Sequence, residues 1–111
     1  MLHTVSLKEN AVFRRLYHRG SSAGSRYLVI YCRRNGTQGS RLGFTVSTKL
    51  GHAVVRNHIR RRLREIYRST EPTLKSGYDI VVVARSAAVE AEFALLQRSF
   101  RSLTEKLGLR Q

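Results

Sequence analysis

Carboxylates are scarce in this chain, and so are the residues that staple a fold or carry it through a membrane. Only seven Asp and Glu stand against 21 Lys and Arg in 111 residues, a formal charge of +14. Acid–base or metal chemistry on paired carboxylates is therefore hard to assemble: Glu90 and Glu92 are two apart on a helical stretch and point apart, and Asp79 stands alone. The single cysteine, Cys32, excludes an internal disulfide, and His3, His18, His52 and His58 fall at no spacing that gathers zinc ligands. They read as surface or interface residues. No glycine-rich phosphate loop of the usual spacing occurs. The longest apolar runs, Tyr27 to Cys32 and Ile80 to Ala84, are far shorter than the roughly 20 residues of a membrane helix. With no secretory segment and one thiol, a reducing compartment, the cytoplasm, is expected. No catalytic residue is expected in this polypeptide.

What is abundant is positive charge, unevenly placed. Hydrophobic residues make up 41% of the chain, enough for one globular domain over residues 1–111. Residues 1–70 carry 15 Lys and Arg against Glu9 and Glu65, whereas residues 71–111 are nearly balanced. A local field of this kind steers a protein to polyphosphates.

The densest charge coincides with a helical period, between Lys49 and Arg68. At 100° per residue, Val55, Ile59, Leu63 and Ile66 fall within about 80° of arc and form a core-facing stripe. Arg56, Arg60, Arg64, Asn57, Arg68 and Arg61 fill an arc of roughly 140° on the other side, with the Tyr67 phenol placed between Arg56 and Arg60. Six arginines in thirteen residues, opposed only by Glu65, repel one another at helical spacing unless a polyanion lies against them. The planar fork of arginine suits phosphate and base stacking, but arginine outnumbers lysine 17 to 4 over the whole chain, so its use here is not particular to this stretch. The stretch reads as an RNA-facing helix.

Elsewhere the chain punctuates itself. Ser6-Leu7-Lys8-Glu9 fits a capping box that opens a helix with Val12, Phe13, Leu16 and Tyr17 on one side, and Gly20 closes it. Phe13 and Tyr17 suit either a core or a ligand surface. Ser21 to Ser25 is a connector with room for a short extended piece. Arg26 to Arg34 alternates as a strand, with Tyr27, Val29 and Tyr31 facing opposite to Leu28, Ile30 and Cys32. Asn35 to Gly39 reads as a hairpin turn and Arg41 to Thr48 as its return strand, whose small side, Gly43, Thr45 and Ser47, leaves space for a ligand backbone. Beyond the basic helix, Pro72 lies in a connector, Tyr78 to Ala84 is a strand apolar on both faces, and strand–helix–strand suggests a βαβ unit. Phe93, Leu96, Phe100, Leu103 and Leu107 then mark a last amphipathic helix stopped by Gly108.

The runs Gly43-Phe44-Thr45-Val46-Ser47, Lys49-Leu50-Gly51, Ala53-Val54-Val55-Arg56-Asn57, Ile59-Arg60-Arg61 and Leu63-Arg64-Glu65 together resemble the signature of the bacterial ribonuclease P protein subunit. His58 stands where that family usually closes an Arg-Asn-Arg triplet, and His52 where it commonly has asparagine. The resemblance implies an α/β fold, a two-layer α+β sandwich in the order αβββαβα, with a central four-stranded sheet and a left-handed βαβ crossover through the basic helix. Its fourth strand would lie near Ser21 to Ser25. The resemblance further implies that the chain assists a catalytic RNA in removing the 5′ leader from precursor tRNA, with active site and Mg2+ held by the RNA subunit. Arg56, Asn57, Arg60, Arg61, Arg64, Arg68 and Lys49 would meet the RNA subunit. Phe13, Tyr17 and Tyr31, with Arg14 and Arg26 and with Arg15 nearby, would line a cleft for the single-stranded leader. Partners would be the RNA subunit and precursor tRNA, without membrane or obligate protein partner.

Two other classes fit parts of the pattern. A ribosomal-type structural RNA-binding protein shares the basic helix but needs no cleft for a mobile strand. A DNA-binding protein with the arginine helix in a major groove lacks the preceding helix of a helix-turn-helix pair. A stand-alone nuclease lacks a catalytic constellation.

Overall fold

The computed structural model of the chain describes residues 4–7 and 9–111; His3, one of the histidines expected at the surface, lies outside them. Strand β1 (Thr4–Ser6), helix α1 (Asn10–Arg19), β2 (Ser21–Gly24), β3 (Leu28–Arg34), β4 (Ser40–Thr45), helix α2 (Ala53–Thr70), β5 (Tyr78–Ala84) and helix α3 (Phe93–Lys106) follow in that order. The strands form one mixed sheet in the order β1-β4-β5-β3-β2. Strand β5 is central because Ile80, Val81 and Val82 are all buried, and a strand apolar on both faces needs cover on both.

Alternate residues divide the sheet into two packing surfaces. Leu28, Ile30, Cys32, Leu42, Ile80 and Val82 meet Ile59, Leu63 and Ile66 of α2 and Leu96, Phe100 and Leu103 of α3. On the opposite face Val81, with Tyr31 and Val83, meets Val12, Leu16 and Phe13 of α1. Each fully buried aliphatic side chain contributes on the order of 1.5–3 kcal/mol, so α2 and α3 anchor the larger core and α1 a smaller one.

The mixed α/β class holds, with a fifth strand and a third layer added: β1 precedes the expected order, and α1 covers the face that α2 and α3 do not. The strand near Ser21 is present as β2, antiparallel to β3. Crossover handedness follows from backbone chirality. The Leu42 carbonyl accepts from the Leu7 N–H at 2.7 Å and so points toward β1, while the Leu42 side chain points toward α2. For L-residues, with β4 running upward and α2 toward the viewer, this puts β1 on the right and β5 on the left. The connection from β4 through α2 to the parallel β5 is therefore left-handed, against the strong right-handed rule.

Three local expectations are overturned. Ser6 does not cap α1: it pairs with Leu42 in β1, and Glu9 occupies the N-cap without a side-chain bond. Strands β3 and β4 do not form a hairpin, because β5 lies between them, antiparallel to β3 and parallel to β4. The connection instead folds on Asn35, whose Oδ1 accepts from the backbone and hydroxyl of Thr37 and whose Nδ2 donates to Gly39 and Asp79. Tyr67 is not on the polar arc: it is fully buried, its phenol 2.8 Å from the Thr4 hydroxyl and its ring edge-on to Phe100 at 6.1 Å. Strand β1 supplies that partner, and burial pushes the phenol up to about 12.

Candidate nucleic-acid interface

Helix α2 buries Ile59, Leu63 and Ile66 and half-buries Val55, as the stripe requires. Its start is set by a tight turn at Gly51, where φ is +144° and a Cβ would meet Val55 Cβ at 3.0 Å, so only glycine fits. Asn57, Arg61, Arg64 and Arg68 are exposed, and Arg56 and Arg60 are half-buried. Arg56 Nε donates to the Gly51 carbonyl at 3.3 Å, and Arg60 donates to Asn57 Oδ1 at 3.0 Å. Arg68 pairs with Glu65, the one acid of the helix. Lys49 is exposed on the single 3-10 turn that precedes the helix. His52 is the N-cap residue, with no side-chain cap bond, and His58 is exposed beside the arc. Arg62 is turned away: it donates to the Ala91 carbonyl at 2.7 Å and lies over the Phe93 ring, tying α2 to the start of α3.

Strand β1 pairs only with the first half of β4, Ser40 to Leu42. Past that point no described strand pairs with the edge of β4, which lies between α1 on one face and α2 on the other. A cleft of about 520 Å³ forms there, lined by Phe13, Arg14 and Tyr17 of α1, Phe44 and Thr45 of β4, and Arg60 of α2. Phe13 seats its ring over Gly43, which has no side chain to exclude it. The Tyr17 hydroxyl is 2.7 Å from the Thr45 hydroxyl, and the Tyr17 ring stands edge-on to Tyr31 at 4.9 Å. On the small side of β4 the Phe13 ring covers Gly43, while Thr45 lines the cleft.

The placement sorts the expected residues. Phe13, Tyr17 and Arg14 come together; Tyr31 is half-buried beneath Tyr17 and supports it instead of forming the cleft wall. Tyr27 packs toward the other core and shares no face with Tyr31. Arg26 lies apart, in a hollow with Glu90 and Glu92, and Arg15 sits on the far flank of α1. Asn10, Phe44, Thr45, Val46 and Arg60 also line the cleft and were not expected there; Phe44 and Arg60 matter most. Phe44 reads as core from its alternation with Leu42 and Val46, yet it is half-buried with the Arg64 guanidinium 5.9 Å over its ring. Arg60 belongs to both surfaces, so the aromatic cleft and the arginine arc are one continuous site.

Three of the acids, Glu65, Glu71 and Asp79, are each engaged by a different neighbour, while Glu90 and Glu92 share the hollow with Arg26. Asp79 takes a two-pronged bond from Arg41, Nε–Oδ1 2.8 Å and Nη2–Oδ2 2.7 Å, and Glu71 is buried with a bond from Thr4. Among the described residues no three of His, Cys, Asp and Glu are grouped to hold a metal ion. Burial pushes the Cys32 thiol up to about 11, which disfavours the reactive thiolate. No helix among the described residues is long and apolar enough to cross a membrane. The site can grip phosphates and stack bases.

Comparison with known proteins finds relatives along nearly the whole chain. The family model for ribonuclease P matches residues 1–108. The ribonuclease P protein component of Natranaerobius thermophilus is 40% identical over all of this chain and 96% of its own length. That of Clostridioides difficile is 39% identical over 96% of this chain and 94% of its own. The solved RNase P protein of Staphylococcus aureus superposes with a TM-score of 0.87 at 34% identity, covering 96% of this chain and 97% of its own. That of Thermotoga maritima gives 0.80 at 31% identity, covering 87% and 92%. The chain belongs to the ribonuclease P protein family.

Proposed function

We propose that this chain is the protein subunit of a ribonuclease P ribonucleoprotein and assists its RNA subunit in the endonucleolytic removal of 5′ leaders from precursor tRNA. The arginine arc of α2, with Lys49, lies against the RNA subunit. The cleft formed by Phe13, Tyr17 and Phe44, with Arg14 at its rim and Tyr31 behind, holds the single-stranded leader. Aromatic faces suit a leader of variable sequence, since every base has a face to stack, at about 1–3 kcal/mol each. The observation that carries this reading is Arg60, which lines the cleft and belongs to the arc, so that leader and RNA subunit are gripped side by side. Catalytic groups and Mg2+ belong to the RNA. The chain's own acids support that division, because Asp79, Glu65 and Glu71 are each taken up by a different neighbour. As a single RNA-binding domain in the cytoplasm it needs no further protein partner.

Reconstitution with a bacterial ribonuclease P RNA tests the proposal. At physiological magnesium the protein should strengthen leader removal by the RNA and cleave nothing alone. Robust magnesium-dependent cleavage by RNA-free protein would overturn the assignment of roles. Tight RNA binding without any stimulation would make the chain a structural RNA-binding protein instead.

A further inference from the structure

Helix α1 lies across one face of the sheet, and a hollow opens on each of its flanks. One is the aromatic cleft. The other, about 450 Å³, is bounded by Arg15 and Arg19 of α1, Arg33 and Arg34 at the end of β3, and Arg41 of β4. Its one lining acid is Asp79, which strand register places between Arg33 and Arg41 in a single row. Both Asp79 oxygens are already bound by Arg41, and Asn35 donates to Oδ1 at 3.2 Å. Glu9 reaches Arg41 only through its field. Arg34 lies over the Tyr78 ring at 5.6 Å, while Arg15, Arg19 and Arg33 are exposed with no ion pair among the described residues.

Charges on a merely solvated face spread apart or alternate in sign. Here they converge on a concavity, and an anion seated in it would be met from both sides, by helix and by sheet. Guanidinium forks bind phosphate oxygens two at a time. The hollow presents no open aromatic face, so it suits a sugar–phosphate backbone and not bases. It is also joined to the cleft: Arg14, His18, Arg15 and Arg19 make a basic crest over α1. Such a crest is about 10–12 Å wide, a span of a few nucleotides.

The geometry points to this arginine hollow as a second phosphate-binding site, which takes the backbone of single-stranded RNA continuing out of the aromatic cleft and over α1. The inference rests on the cleft being a single-strand site, as proposed above. It makes the grip on RNA depend on strand length: short strands fill the cleft, and longer ones reach the hollow.

The test uses the free protein and fluorescently labelled oligouridines, one of about four nucleotides and one of about twelve, titrated by anisotropy across a salt series. Replacing Arg15→Ala and Arg33→Ala together should leave the short oligomer's affinity unchanged. The same variant should weaken the longer oligomer and flatten its log affinity against log salt by about 1.4, two phosphates' worth on a single strand. A duplex with the same number of phosphates should be bound alike by both proteins. The double lysine variant should restore the salt slope, and a thermal melt confirms folding. An unchanged slope, an equal loss on both lengths, or an equal loss on the duplex would each overturn the second site. Because no ribonuclease P RNA is used, the two proposals fail separately: reconstitution without stimulation removes the function but not the length effect. Stimulated leader removal without a length effect removes the hollow alone.

Discussion

Gly43→Ala is a one-carbon test of how the cleft is built. Gly43 pairs with Val81 in the parallel β4–β5 ladder, and its φ is negative, so alanine costs nothing in backbone conformation. Without a neighbour in the way, alanine in a strand interior should stabilise by about 0.5–1 kcal/mol relative to glycine. There is a neighbour: an added Cβ would stand 2.4 Å from Phe13 Cζ and 2.8 Å from Cε1. Ordinary carbon contacts lie near 3.5–4.0 Å, so the ring must retreat by about 1 Å or more. Overpacking of this size costs about 1–3 kcal/mol. Urea denaturation of the wild type, both single variants and the double variant with Phe13→Ala isolates the clash. Gly43→Ala should destabilise the parent by about 1–3 kcal/mol and be neutral or stabilising once Phe13 is alanine. The coupling between the two positions is then about 2 kcal/mol. A cost for Gly43→Ala that is the same in both backgrounds would refute the seating of Phe13 on this glycine, and with it the geometry of the cleft wall. The displaced ring should also weaken the short oligouridine, since Phe13 can no longer lie flush beside Tyr17.

Arg60→Ala with Arg64→Ala should weaken assembly with the RNA subunit and flatten its log affinity against log salt by roughly 2, each guanidinium releasing about one counterion; an unaltered slope in a folded variant means that the arc faces water. Alkaline pH should unfold the protein in a defined window. Cys32 is raised from 9.0 to about 11 and Tyr67 from 10.0 to about 12 by burial, so the folded state keeps protons that the unfolded chain releases. Their contribution is complete below pH 9 and is lost as pH rises through these values. Tyr67→Phe should be less stable than the parent at pH 8 for want of the bond to Thr4, and the difference in Tm should narrow between pH 10 and 12. A gap that stays constant through that range sinks the account of Tyr67.

What was legible in the residues was whatever one element settles within itself. The stripe of α2, the Pro72 break, the apolar run of β5 and the period of α3 each carry their own evidence, and the parallel βαβ unit followed from their order. What was not legible depended on a partner far along the chain. Tyr67 falls at about 120° on the helical wheel, between Arg56 and Arg60 at the stripe-side end of the arc. The Phe100 ring of α3 and Thr4, 63 residues away on a three-residue strand, make that position interior. The strand β1 has too few residues to show an alternation, and its Ser6 carries an equally good local signal for a helix cap. The β3–β4 hairpin failed for the same reason: Asn35-Gly36 is a strong turn signal, but β5 arrives later and takes the central place because its apolar residues point both ways. At the site, residue type located the arginine arc and the α1 aromatics, whereas adjacency did not follow from type. Arg15, Arg14 and Arg26 read alike in sequence. The fold separates them into an arginine hollow, a cleft rim and an acid-lined hollow by the rotation of one short helix and the place of one strand end. Arg60 and Phe44, half-buried where two layers meet at the edge of β4, are the residues through which the separate surfaces become one. Their role could only appear once β1 was known to stop at Ser6.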